Sequence, residues 1–70
     1  MTSSETPTIK LDQFLKLVGA VSTGGQAKML IQAGLVQVNG EVENRRGRQL
    51  KQADVVQLEG QSFTVNLSEL

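Results

Sequence analysis

The stretch that decides the fold is Gly34-Leu35-Val36-Gln37-Val38-Asn39-Gly40-Glu41-Val42. Upstream of it apolar residues recur about every 3.6 positions; from Leu35 they alternate, with Val36 and Val38 on either side of Gln37. The first period lays an apolar stripe along a helix, and the second sorts a strand into two faces. Gly34 stands at the change, where a residue that accepts positive φ ends a helix without strain. Asn39-Gly40 is the strongest short hairpin signal, because a type I′ turn needs positive φ at both central positions. Val42 then carries the return strand.

Working back, Thr23-Gly24-Gly25-Gln26 has capping-box spacing, with Thr23 as N-cap and Gln26 at N3 of a helix. Ala27, Leu30 and Ile31 form its apolar face. An earlier helix is predicted from Leu11, Phe14, Leu15 and Val18, which stand at i, i+3, i+4 and i+7. Asp12 falls in its first turn, where the helix dipole favours a negative charge, and Gly19 ends it. The short connection predicts that the two helices pack as neighbours. Ile9 and Lys10 form a short extended lead-in.

Working forward, residues 43–53 are polar and read as a loop or irregular strand. Residues 54–58 and 62–65 read as strands around a turn at Glu59-Gly60. The expected layout is a disordered leader at residues 1–8, one folded domain at 9–66 and a frayed tail at 67–70. Helices come first and strands after, which argues an α+β fold: two helices packed on one face of a small, mostly antiparallel sheet of short strands.

The chain has 70 residues, no cysteine and no histidine. Disulfides, thiolate metal sites and histidine bases are therefore excluded by inventory. No run approaches the roughly 18 apolar residues of a membrane helix. The residues at the N-terminus lack the apolar core of a signal peptide, which fits a cytoplasmic protein. Ser22 and Thr23 have no histidine to activate them, and Asp12, Glu41, Glu43 and Asp54 share no catalytic motif. We expect no enzyme, and no cofactor or metal.

The formal net charge is zero, but the charge is segregated: from Lys10 to Lys51 seven basic residues face three acids, Asp12, Glu41 and Glu43, leaving +4. Within this region Asn44-Arg45-Arg46-Gly47-Arg48-Gln49-Leu50-Lys51 concentrates four cations with no acid among them. The planar arginine fork suits phosphate, and Gly47 keeps the loop free of a side chain where a nucleic-acid backbone would approach. Gly24 and Gly25, with Gln26 and Lys28 close behind, offer a second place for phosphate at a helix start. The simpler reading of the glycine pair is a sharp turn and close helix packing. Lys10 and Lys16 extend the patch if helices and loop share a side. Only Phe14 and Phe63 are aromatic, and both look like core. That argues against base stacking and for recognition of RNA by shape and phosphate.

From Ile9 to Val65 the chain resembles the S4-like RNA-binding domain. The resemblance is carried by Leu11-Asp12-Gln13-Phe14-Leu15-Lys16, by Gln26-Ala27-Lys28-Met29-Leu30-Ile31, by Gly34-Leu35-Val36-Gln37-Val38-Asn39-Gly40, and by Gly47 through Asp54-Val55-Val56. The chain is most similar to small stand-alone bacterial members, which share Gly24-Gly25 and Glu41-Val42-Glu43-Asn44-Arg45-Arg46-Gly47. The resemblance implies a two-helix αL-type motif with a sheet of three to five strands. It also implies RNA held by the second helix, its first turn and the basic loop. Many members carry a Ser-Arg pair at the second helix start; Ser22-Thr23-Gly24-Gly25 stands here instead, so backbone N–H groups, Gln26 and Lys28 would have to serve.

The expected function is non-catalytic binding of structured RNA, ribosomal or transfer RNA, by a monomer. The expected site residues are Lys10, Lys16, Gly24, Gly25, Gln26, Lys28, Asn44, Arg45, Arg46, Arg48 and Lys51. A rival reading is a protein-interaction module that docks on a ribosome-associated partner, with Asp54, Glu59 and Glu69 as an acidic end. A DNA-binding helix-turn-helix is weaker, because the second helix offers a groove only Gln26, Lys28 and Gln32.

Overall fold

The computed structural model describes residues 7–69, so most of the expected leader (residues 1–6) lies outside the described residues. The order is β1 (Ile9–Lys10), α1 (Leu11–Leu17), α2 (Gly24–Gln32), β2 (Val36–Val38), β3 (Glu41–Val42), β4 (Gln49–Leu50), β5 (Val55–Leu58) and β6 (Gln61–Thr64), closed by a 3₁₀ turn at Leu67–Glu69. The strands form a four-stranded antiparallel sheet in the order β3-β2-β5-β6 and a separate antiparallel pair, β1 with β4. The fold is α+β, as expected.

Both helices end in the same way. Gly19 and Gly34 adopt positive φ, +78° and +80°. After α1, Gly19 N donates to Lys16 O and Ala20 N to Leu15 O; after α2, Gly34 N donates to Ile31 O and Leu35 N to Leu30 O. Each is a Schellman turn that satisfies carbonyls left over by the last helical turn. Gly19 stops α1 before Val18 reaches the apolar face, so Val18 becomes the C-cap and stays 37% exposed. Its expected core position is corrected on that ground. Val21, beyond the turn, is buried instead.

The hairpin forms as expected: Asn39 and Gly40 have φ of 53° and 87°. Register then fixes the faces. Val36 pairs with Leu58 and Val38 with Val56, and all four side chains are buried. They meet Leu11, Phe14, Leu15, Ala27 and Ile31 from the helices, with Leu50 and Val65, in one core. On the other side Val42, Gln37, Gln57 and Ser62 make a continuous cross-strand row. A shallow depression of about 200 Å³ on that side is lined by Leu35, Gln37, Gln57, Leu58, Glu59 and Gly60. Leu67, near the end of the described residues, packs on the core, and its N–H donates to Gln52 Oε1 at 2.7 Å. Among the described residues no helix is long and apolar enough to cross a membrane.

Candidate nucleic-acid interface

The basic loop is anchored at both ends. Behind it, β4 pairs with β1 through Ile9↔Leu50 and Lys10↔Gln49, and Leu50 is fully buried. Ahead of it, Glu43 N donates to Val36 O and extends the β2–β3 ladder. Between these points the loop closes on the start of α1. That helix has no side-chain N-cap; instead Leu11 N donates to Arg48 O at 2.9 Å and Asp12 N to Arg46 O at 3.1 Å. A helix start leaves N–H groups without partners, and carbonyls of the basic loop take up two of them. Lys10, Arg46 and Arg48 are thereby brought together.

Strand alternation turns Glu43 to the core side, where it is 6% exposed. Its carboxylate accepts four hydrogen bonds. Oε2 takes Arg45 N at 3.1 Å and Arg45 Nε at 2.9 Å, while Oε1 takes Arg48 Nη1 at 2.7 Å and Arg45 Nη2 at 3.4 Å. The Arg45 side chain stays 76% exposed and that of Arg48 32% exposed. The hydrogen bonds from Arg45 and then Arg48 outweigh burial and hold the Glu43 carboxyl at about 2. In return Glu43 raises the already high value of Arg45. The cation run thus has an acid folded against it, which the sequence reading did not anticipate. The signal was present, since Glu43 stands two residues before Arg45, but its burial depends on register. Arg46 is exposed and forms no ion pair among the described residues.

Lys51 and Asn44 are exposed. The Lys51 N–H donates to Asp54 Oδ2, and Asn39 Nδ2 donates to Asp54 Oδ1. Burial pushes the Asp54 carboxyl up, but these hydrogen bonds, with the charges of Lys51 and Arg48, bring it below the ordinary carboxylate value. At 6% exposure Asp54 cannot serve as part of an acidic docking face, so that element of the rival reading is corrected.

The second candidate place lies at the start of α2. Thr23 caps it, accepting from Gln26 N at 3.1 Å. Gln26 Oε1 accepts from Ser22 N, one residue earlier than the reciprocal capping box predicts, so this oxygen is committed to the turn. Gly24 and Gly25 keep ordinary backbone angles; a Cβ on Gly24 would meet nothing within 4 Å, and one on Gly25 only Thr23 Oγ1 at 4.0 Å. Neither a sharp turn nor close helix packing requires them. Gly47 is likewise in open space with ordinary angles. Lys16 and Lys28 are exposed on the helix pair, and no side-chain hydrogen bond or ion pair among the described residues joins them to the basic loop.

A helix pair closed by matched glycine turns, laid on a small antiparallel sheet and flanked by an arginine loop pinned to the first helix, defines a compact α+β module with four of its seven cations in one stretch. The chain belongs to the S4 domain family, whose model matches residues 2–66. It is 48% identical over 58 residues to the protein named "Probable ribosome maturation protein RlbA" of Bacillus subtilis (strain 168), covering 83% of this chain and 82% of that one. It is 37% identical over 59 residues to "Putative RNA-binding protein YbcJ" of Escherichia coli (strain K12), covering 84% of each. Among solved structures, a pseudouridylate synthase matches with a TM-score of 0.73 and 28% identity over 83% of this chain, which spans 25% of the synthase chain. That partial match gives no indication of enzymatic activity here. The 30S ribosomal protein S4e of Thermoplasma acidophilum matches in fold, with a TM-score of 0.63 and 23% identity, over 90% of this chain and 32% of that one.

Proposed function

We propose that this protein is a non-catalytic, cytoplasmic, monomeric binder of structured RNA, ribosomal or transfer RNA, and that the loop from Asn44 to Lys51 and the start of α2 form its contact surface. The observation that carries the reading is the pinning of the loop carbonyls of Arg46 and Arg48 onto the start of α1, which presents Lys10, Arg45, Arg46 and Arg48 on a fixed frame. A fixed set of cations suits a folded RNA, whose phosphates are themselves held in place. Relatives named for ribosome maturation and RNA binding support the same reading. Gly24, Gly25 and Lys28 supply backbone N–H groups and one charge at a helix start, with Gln26 and Lys16 beside them.

Binding of folded ribosomal RNA, measured by filter retention across a salt series, tests the proposal. With about five phosphates neutralised, the log–log slope of affinity against salt should be roughly −3.5 to −4.5. Arg46→Ala should lower the slope by about 0.7–0.9 and leave the fold intact. A flat salt response, or duplex DNA competing as well as folded RNA, would overturn the reading.

A further inference from the structure

Arg45, Arg46 and Arg48 have the same chemistry, but the fold treats them differently. Arg45 and Arg48 are held by one carboxylate through contacts of 2.9, 3.4 and 2.7 Å, while Arg46 between them is free of any ion pair among the described residues. Arg45 commits its Nε–Nη2 edge to Glu43, and Arg48 commits a single Nη1. Each guanidinium keeps further N–H donors, because arginine has five in a planar fork. Glu43 is itself held from both sides, by its backbone bond to Val36 and by burial of its side chain to 7% exposure. A surface ion pair between two mobile side chains would do little to order either one. Here the acceptor is fixed, so the arginines take their direction from it.

We propose that Glu43 is a positioning residue for RNA recognition, holding Arg45 and Arg48 as a two-guanidinium clamp whose unused N–H groups meet the RNA backbone already oriented. The proposal rests on the RNA-binding reading. It predicts a sign opposite to simple electrostatics. Glu43 subtracts one charge from the loop, so if it were only a counter-charge, removing it would strengthen binding and steepen the salt slope. If it positions the arginines, removing it weakens binding although the chain becomes more positive.

The test uses the whole chain, folded ribosomal RNA as probe, and the variants Glu43→Gln and Glu43→Asp, with folding verified by circular dichroism. At fixed salt Glu43→Gln should bind about threefold to tenfold more weakly, the ordering cost of one or two immobilised side chains. Glu43→Asp, which keeps the charge, should recover part of the loss. In the RNA-free protein, the side-chain NMR signal of Arg45 Nε–H should be shifted and slow to exchange compared with that of Arg46. In Glu43→Gln it should move toward the Arg46 signal. Tighter or unchanged binding by a folded Glu43→Gln would overturn the positioning role alone. Matching Arg45 and Arg46 signals in the wild-type protein would remove the clamp itself. A wild-type chain that binds no RNA while keeping the NMR signature would overturn the RNA reading, and the RNA role of the clamp with it.

Discussion

Glu43 keeps its negative charge while almost withdrawn from water, because Arg45 and Arg48 supply the hydrogen bonds that water would otherwise make. Its carboxyl falls from an ordinary value of 4.5 to about 2 in the folded chain. The folded state therefore binds fewer protons here than the unfolded chain between those values. The stabilisation is complete above about pH 4.5 and fades as pH falls toward 2. It should amount to about 1–2 kcal/mol at neutral pH, after allowance for solvent screening around the exposed Arg45. Urea melts of the wild type and Glu43→Gln should differ by this amount at pH 7, and the gap should narrow from about pH 4.5 downward and close only below about pH 2. A gap that persists in acid would mean that Glu43 acts by shape and not by charge. The pairing also affects how the loop is best probed. Replacing Arg45 and Arg48 together by alanine strands a buried carboxylate, a defect that costs about 3–5 kcal/mol when a partner of a buried pair is removed. Loss of RNA binding in that variant would mix unfolding with lost contacts, whereas Arg46→Ala leaves the pairs intact.

The helices show how much of an element is written in its own residues. Thr23 as N-cap of α2 and glycine at the C′ position of both helices were legible in the sequence, because each acts on backbone groups a few residues away. The start of α1 was not legible: its cap is made of Arg46 and Arg48 carbonyls, some 35 residues later in the chain. The apolar face of α1 was legible for Leu11, Phe14 and Leu15 but not for Val18, since the period says nothing about a helix that stops one residue short. At the start of α2 the glycines invite a test. Gly24 has ordinary angles and open space around its Cβ position, so Gly24→Ala should stabilise the chain by about 0.4–1 kcal/mol through the unfolded state. If phosphate meets the bare backbone there, the same change should weaken RNA binding. A higher melting temperature with unchanged affinity would assign the RNA contact to the arginine loop alone.

At the scale of the whole molecule, one small core supports every feature of the candidate interface. A chain of this size has a stability of only about 4–10 kcal/mol. Leu50 is the point where the basic loop enters that core: it is fully buried, pairs with Ile9 through β1–β4, and stands two residues after Arg48 and just before Lys51. Leu50→Ala should cost about 2–5 kcal/mol, a large share of the total. Thermal or urea denaturation reads the loss directly. RNA binding should then fall at temperatures where the variant is still folded, because the loop has lost its inner anchor. A variant with normal stability would show that the loop is held from the α1 side alone. The sheet's outer row, Val42, Gln37, Gln57 and Ser62, carries no charged residue.

The sequence by itself determined the two helices and the strands β2, β3, β5 and β6, the two glycine stops, the Asn39-Gly40 hairpin, most of the core and where along the chain the cations stand, but not the β1–β4 pair. These follow from periodicity and from short-range backbone chemistry, which depend only on residues within about one turn of each other. The tertiary structure alone decided which cations are free. Glu43 and Arg45 are two positions apart, yet their pairing required β3 to register against β2, which buries Glu43, and the loop to fold back on α1, which brings Arg48 to the same carboxylate. It also took Asp54 out of solvent, through Asn39 and the backbone of Lys51. Charge can be counted along a chain. Whether a charge faces solvent or a partner depends on segments far apart in sequence, joined by backbone pairing and a shared core.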